Sequence, residues 1–529
     1  MIAHLPLVSM VTFLPLAGAL LLVFFRRGSV KAVRMATLSV SLLTFVFSLL
    51  IFFGFDGKAG LPEFVEHAPW LGRGLDYHVG VDGISLFLVL LAAFLTPLAL
   101  LSSWRAVNDR IKEFSFFMLV LETGMIGVFV SLNLFLFYVF WEAMLIPMYF
   151  LIGLWGGRRR IYATTKFILF TMFGSLLMLV GIFVLYAAYH RATGTFSLAI
   201  FDLADAALSP ALQTWVFLAF GLAFAIKIPL FPLHTWLPDA HVEAPTAGSV
   251  LLAAVLLKMG AYGFLRLGIP LFPQAAASFA PALSVLAAVG IIYGGLMALV
   301  QKDMKSLVAY SSVSHMGLIM LAVFSLNFTA TEGALYQMLN HGLSTGALFL
   351  CVGILYERTH TRLIKDYGGA AARMPVFAAL FLVAMLSSAG LPGLNGFVGE
   401  ILCFFGIFTS NKVLAALGVS TVILSAAYLL WLYRRIMHGP LRDPDGLLRD
   451  VDRRELATLV PIIILILLMG LFPGTILRKM DASVSRYIDS LRDGTRAVLP
   501  VQPDTGGTIR VLIPDLSPGQ TANVARRER

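Results

Sequence analysis

The sequence predicts an all-α polytopic membrane protein of about fourteen transmembrane helices, on three observations. Of its 529 residues, 59% are hydrophobic and 13% charged, against roughly 25% charged residues in a soluble domain. Apolar runs of about 20 residues, long enough to span a bilayer, recur from residue 4 to about residue 475. The basic residues between these runs are concentrated in every second loop.

Residues 1–113 hold spans one to three. The first run, LPLVSMVTFLPLAGALLLVFF, has no basic region before it and is followed by Arg26, Arg27, Lys31 and Arg34, an order that fits a retained span rather than a cleaved signal peptide. Spans four to eight occupy 114–270 and spans nine to thirteen occupy 277–437. A loop and span fourteen fill 438–475, and a polar tail with no assigned role runs from 476 to 529. Two adjacent blocks of five spans must enter the membrane from opposite sides, the arrangement of an inverted repeat. Each block has a proline-interrupted fourth span, IPLFPLHTWLP in the first and SSAGLPGLNGFVGE in the second, with Pro232 lying 118 residues into its block and Pro392 lying 115 into its own. Broken helices in corresponding positions point to a transport site.

Odd-numbered loops carry 23 Lys and Arg, Lys302 and Lys305 among them, and even-numbered loops five (Lys58, Arg73, Arg191, Arg266 and Lys412). The positive-inside rule then places odd loops in the cytoplasm and both termini outside. Nine basic residues in the tail run against that assignment, although long segments count little. The formal charge of +10 is thereby read as a topology signal rather than a nucleic-acid surface. Cys351 and Cys403 are the only cysteines and stand far apart, so no cluster or disulfide framework is expected and redox cofactors are assigned to other chains. Without HExxH, Walker or GxGxxG patterns, metal hydrolysis, ATP driving and nicotinamide binding have no footing here.

Ionisable side chains within apolar runs are expensive and mark functional sites by default. The candidates are Glu122, Glu142, Lys227, Lys258, His315, His341 and Glu400, with His234 and His241 beside the first helix break. Glu142, in FLFYVFWEAMLIPMYFLIGLWGG, has only Tyr138 as a polar neighbour within four residues and needs a partner from another helix; Lys227, at comparable depth, suits it. The pair reads either as a static ion pair that fixes packing or as a switch whose opening leaves a desolvated lysine able to release a proton. Lys258 stands mid-span, which argues against snorkelling. KSLVAYSSVSHMG and QMLNHGLSTGALF place His315 and His341 among hydroxyls and amides, as relay groups or as hydrogen-bonded core histidines. Glu400 follows the second break as Lys227 precedes the first.

FWEAMLIPMYFLIGLWGG, KIPLFPLHTWLPDAHVEAPTAGSVLLAAVLLKMG and DMKSLVAYSSVSHMG, with VDGISLFLVLL and SSAGLPGLNGFVGE, closely resemble the antiporter-like membrane subunits of respiratory complex I, over spans one to fourteen. The larger subunit L carries extra C-terminal spans and a lateral helix for which residues 476–529 are too polar. Subunits L and N place lysine at the break of span twelve, where this chain has Glu400. The resemblance implies proton translocation in an inner bacterial membrane, driven by redox chemistry elsewhere, with FMN, iron–sulfur clusters and quinone in partner subunits and L and N among those partners. It implies Glu142 and Lys227 as a modulating pair, Lys258 as the central proton site, His315 and His341 as relays and Glu400 as the far exit. Glu122 is an additional charge on span four. The rival reading is a subunit of a multi-subunit cation/proton antiporter, which shares these motifs without a redox partner; a hydrogenase- or ferredoxin-linked relative is a third.

Overall fold

The structure is a computed structural model that describes residues 5–26, 28–204, 208–443 and 446–496. The ends of the chain, 1–4 and 497–529, lie outside the described residues, as does that part of the polar tail.

Helices α1 (Leu7–Val23), α2 (Val30–Gly54), α3 (Leu86–Ser102) and α4 (Ile111–Val130) form the first bundle. Between α2 and α3 lies an antiparallel hairpin, β1 (Glu63–Gly72) and β2 (Leu75–Val81), the one sheet among the described residues and a departure from the all-helical expectation. Its second strand, LDYHVGV, alternates apolar and polar residues and turns through Gly72 and Gly74, both at positive φ. α5 (Leu134–Ala143) and α6 (Leu145–Trp155) are one span broken at Met144. Pro147 causes the break, because it has no N–H for the Ala143 carbonyl and its ring crowds that group. The span starts where the Asn133 side chain accepts the Phe135 and Leu136 amides.

α7 (Arg160–Thr193) and the short α8 (Ile200–Ala204) lead to α9 (Pro210–Lys227), which stops at the lysine. Pro229 cannot donate to Ala225, whose carbonyl instead accepts the Leu230 amide at 2.9 Å, and the Trp236 indole takes the Ile226 carbonyl at 2.9 Å. The freed carbonyls are thus satisfied from beyond the break, by the chain leading into α10 (Trp236–Glu243). The next span is α-helical in three pieces, α11 (Thr246–Leu251), α12 (Leu257–Gly263) and α13 (Ile269–Leu271), joined by π-helical turns at Leu252–Leu256 and Phe264–Gly268. Then follow α14 (Pro273–Leu299), α15 (Met304–Val323), α16 (Phe328–Thr359), α17 (Pro375–Ser388), α18 (Asn395–Ser410), α19 (Lys412–Met437) and α20 (Arg453–Leu471).

Eleven helical segments are long and apolar enough to cross a membrane, among the described residues, and α1, α3, α17 and α18 are shorter apolar helices. The apolar 18-residue stretches at the heart of the α11–α13 span and of α16 are fully buried. α2 and α7 present Leu42, Leu43, Phe53, Leu169, Phe173 and Phe183 outward, as surfaces against lipid or neighbouring subunits do. The charged groups of the interior therefore lie behind an apolar ring of helices.

Polarity from residue 476 onward predicts a tail, yet Gly474–Arg496 is a helix, α21. Met480, Val484, Tyr487, Ile488 and Leu491 recur at helical spacing and are buried, so its net polarity hides one apolar stripe. Lys479 Nζ caps the end of α2 through the Phe52 and Phe55 carbonyls at 3.2 and 2.5 Å, a favourable place for a cation. Ser483 Oγ accepts the Gly83 amide at 3.0 Å.

Candidate functional site

Lys258 sits at the centre of the enclosed α11–α13 span, between its two π turns, and is fully buried. Its Nζ donates to the Ala253 carbonyl, five residues back, at 2.6 Å. The same ammonium group lies 2.6 Å from His341 Nδ1 on α16. A π turn departs from the regular i→i−4 ladder, and here the lysine reaches a carbonyl inside the first such turn.

From His341 the ionisable groups continue. Its ring lies 5.8 Å from that of His315 on α15, and His315 Nδ1 lies 3.7 Å from Glu400 Oε1 on α18. His315 Nε2 is 3.4 Å from the Tyr428 hydroxyl. Gln337 donates to Glu400 Oε1 at 3.4 Å and receives the Asn340 amide at 2.9 Å. Glu400 is held in place by the second break. Gly390 and Gly393 turn the chain at φ +74° and +90°, and Ser387 Oγ donates to Asn395 Oδ1 at 2.6 Å across the gap. A side chain on Gly390 would collide with the Glu400 carboxylate, whereas Gly393 faces open space. Thus Lys258, His341, His315 and Glu400, from four helices, form one row.

Lys227, at the first break, is buried, and its Nζ has no hydrogen-bond partner. It lies 5.2 Å from the ring centre of Trp141 and 5.9 Å from that of Phe167, a cation–π arrangement. Glu142, next to Trp141 and just before the α5–α6 break, forms no ion pair or hydrogen bond with Lys227, and its Oε1 has no hydrogen-bond partner among the described residues. The two charges expected to pair are therefore neighbours with an indole beside them, rather than a closed ion pair. His234 stacks on Phe231 at 5.6 Å between ring centres and meets Tyr293 edge-to-face at 5.0 Å. His241 stacks on Phe349 at 4.6 Å, and neither of its ring nitrogens has a hydrogen-bond partner.

Several buried ionisable residues escaped the sequence reading, Lys305, Arg266 and Asp82 among them. Lys305, counted as a loop residue, is buried at the start of α15, donating to the Ala244 carbonyl at 2.6 Å and approaching Ser249 Oγ at 3.3 Å. Arg266, counted as an outer-loop charge, is buried in the second π turn and donates to both oxygens of Asp82 at 2.7 Å. Its Nε donates to the Tyr262 hydroxyl at 3.0 Å. The i, i+4 spacing of Tyr262 and Arg266 is legible in sequence, but Asp82 stands 184 residues away. Glu122 is buried on α4, with Ser41 of α2 as its hydrogen-bond donor, and belongs to the first bundle rather than to the row.

Similarity to known proteins accords with this arrangement. The family described as NADH:quinone oxidoreductase/Mrp antiporter, TM, matches residues 131–425, a stretch that contains Glu142 and Glu400 and every group between them. The chain is 47% identical to the NADH-quinone oxidoreductase subunit M of Rhodobacter capsulatus over 497 residues, covering 92% of this chain and 96% of that one. It is 43% identical to the NADH-ubiquinone oxidoreductase chain 4 of Arabidopsis thaliana over 478 residues, covering 90% and 95%. Among solved structures, a chain of respiratory complex I from Thermus thermophilus with bound NADH superposes with a TM-score of 0.83 at 35% identity, covering 92% of this chain and 99% of that one.

Proposed function

The chain belongs to the subunit M group, mitochondrial chain 4 included, of the NADH:quinone oxidoreductase/Mrp antiporter membrane family, and from that premise we propose that it moves protons along the row Lys258, His341, His315 and Glu400. The observation that carries the reading is the 2.6 Å approach of Lys258 Nζ to His341 Nδ1 inside an enclosed helix. A histidine accepts a proton on one ring nitrogen and gives one up from the other, which suits His341, held by Lys258 on one side and facing the His315 ring on the other. Glu400 ends the row, and the second helix break opens beside it.

Glu142 and Lys227 are the modulating pair in this reading. Lys227 rests on Trp141 without a hydrogen bond, a position from which a shift toward or away from Glu142 changes the field on Lys258. His234 and His241 are auxiliary groups near the first break. The work is of a suitable size: moving one charge against 100 mV needs about 2.3 kcal/mol. Making or breaking a buried pair involves a comparable energy.

The finer architecture follows the same reading. Counting each broken helix once gives fourteen spans, with 114–270 and 277–437 as inverted five-span repeats whose fourth members break at Pro232 and Pro392. Odd loops face the cytoplasm of a bacterial inner membrane and both termini face outward. The neighbouring membrane-arm subunits, L and N among them, complete the assembly, and FMN, iron–sulfur clusters and quinone are held by partner chains.

The test is Lys258→Met in the assembled enzyme. NADH-driven proton uptake into inside-out vesicles should be lost, with flavin-site NADH oxidation by an artificial acceptor retained. Proton uptake per NADH equal to wild type would overturn the assignment. Co-purification with flavin and iron–sulfur chromophores separates this reading from that of a colourless cation/proton antiporter.

A further inference from the structure

Glu122 stands apart from the row, and its surroundings suit a separate task. It is fully buried on α4; Oε1 accepts Ser41 Oγ at 3.2 Å and Oε2 has no partner. α1, α2, α3, α5, α6 and α12 pack on α4, as does β2, which carries Asp76 and His78 and meets the chain at Ser131, just past the end of α4. The charged side chains of the first three are Lys31 and Arg34 alone, both at the basic end of α2, and α6 has none. α4 itself carries Lys112 and Glu113 in its first turn, while α5 brings Glu142 and α12 brings Lys258, both already placed in the other site. Among the described residues Glu122 therefore has no counter-ion, and an ionised carboxylate without one is costly in such surroundings.

α2 supplies the access. Thr37, Ser41, Thr44 and Ser48 recur at four- and three-residue intervals, all on the buried face of a helix that otherwise turns Leu42, Leu43 and Val46 outward. Hydroxyls in an apolar helix commonly bond back to their own backbone, and Thr37, Thr44 and Ser48 do so. Ser41 is the exception, because its hydroxyl points across to Glu122. On α4, Ser115 lies two turns before Glu122 on the same face. Toward the basic end these residues meet a cleft of about 20 Å³ lined in part by Arg34, Thr37, Ser103 and Ser115, large enough for a water molecule. Arg34 marks the mouth of the cleft, donating to the Val107 carbonyl at 2.8 Å.

We propose that Glu122 is a second proton-binding carboxyl of the chain, loaded from the basic face along the hydroxyl face of α2 and independent of the Lys258 row. In the loading step the Ser41 O–H bond breaks as its proton passes to Glu122 Oε1, forming the carboxylic acid. Ser41 Oγ takes a replacement proton from a hydrated proton that enters by the cleft and is handed on past Thr37, which lines the cleft one turn away; H3O⁺ is left as water, so one proton moves inward and the hydroxyl is restored. The alternative, a carboxyl that merely ties α2 to α4, needs neither the cleft nor a free Oε2.

Two measurements on the assembled enzyme test this, and neither depends on whether the Lys258 row conducts. In the first, Thr37→Cys and Ser41→Cys are exposed to a charged, membrane-impermeant thiosulfonate from the basic face. Both should be labelled under conditions that leave Leu42→Cys, on the apolar face, unlabelled. A Ser41→Cys variant as inert as Leu42→Cys overturns the access route. In the second, the NADH-induced infrared difference spectrum should lose one protonated-carboxyl band in Glu122→Gln. Superimposable wild-type and Glu122→Gln spectra overturn the proton site.

Discussion

Alanine at Gly390 tests the architecture around Glu400, with Gly393 as a built-in control. Both glycines occupy the left-handed region, at φ +74° and +90°, where a Cβ costs about 1–2 kcal/mol. That penalty is common to the two substitutions. Only at Gly390 does the new Cβ fall on the Glu400 carboxylate; at Gly393 it meets nothing within 4 Å. To make room, Glu400 must give up the Gln337 hydrogen bond and its 3.7 Å approach to His315. A hydrogen bond to a charged group is worth about 1.5–3 kcal/mol, and about 1.36 kcal/mol is a tenfold change in rate. NADH-driven proton uptake should therefore fall about ten- to a hundredfold in Gly390→Ala relative to Gly393→Ala. The assay is dye quenching in inside-out vesicles, normalised to assembled enzyme by flavin-site activity. Equal uptake in the two variants would refute the placement of Glu400 on the proton route.

Two other outcomes follow from features outside that row. Asp82→Asn leaves the Arg266 guanidinium buried without its counter-ion, and breaking such a pair costs about 3–5 kcal/mol; the level of assembled enzyme on native gels should drop sharply, while unchanged levels would show that Tyr262 alone satisfies Arg266. Burial, reinforced by the facing His67 imidazole, holds His78 of β2 below the ordinary value of 6.5. Its neutral form is the one the fold favours, so this contribution is intact above 6.5 and is lost as pH falls below it. Amide exchange across Glu63–Val81, corrected for intrinsic rates, should accelerate on acidification through that range in wild type and less so in His78→Asn.

Sequence alone identified the ionisable groups of the row because a charge in an apolar run is conspicuous. It could not say which of them meet. Lys258 and His341 are 83 residues apart, and their contact arises from the packing of two enclosed helices. The Glu142 and Lys227 expectation was silent on Trp141, since an aromatic residue in a membrane helix raises no signal. Arg266 and Lys305 were misplaced for a common reason: each lies near the end of an apolar run, where hydropathy does not distinguish a loop charge from one turned inward. The hairpin was hidden between strong helical signals, and α21 by its average polarity, although its apolar residues keep a helical period.

The closure of α21 onto the beginning of the chain bears on the order of biosynthesis. Ser483 holds the amide of Gly83 across 400 positions, and Lys479 holds carbonyls at the end of α2. Those early groups are translated long before their partners exist. On the face bearing the hairpin, the first bundle must therefore wait, with its backbone amide and carbonyls unclaimed, until ribosomes have passed residue 483. A polypeptide interrupted before residue 479 lacks both contacts and leaves that patch unfinished.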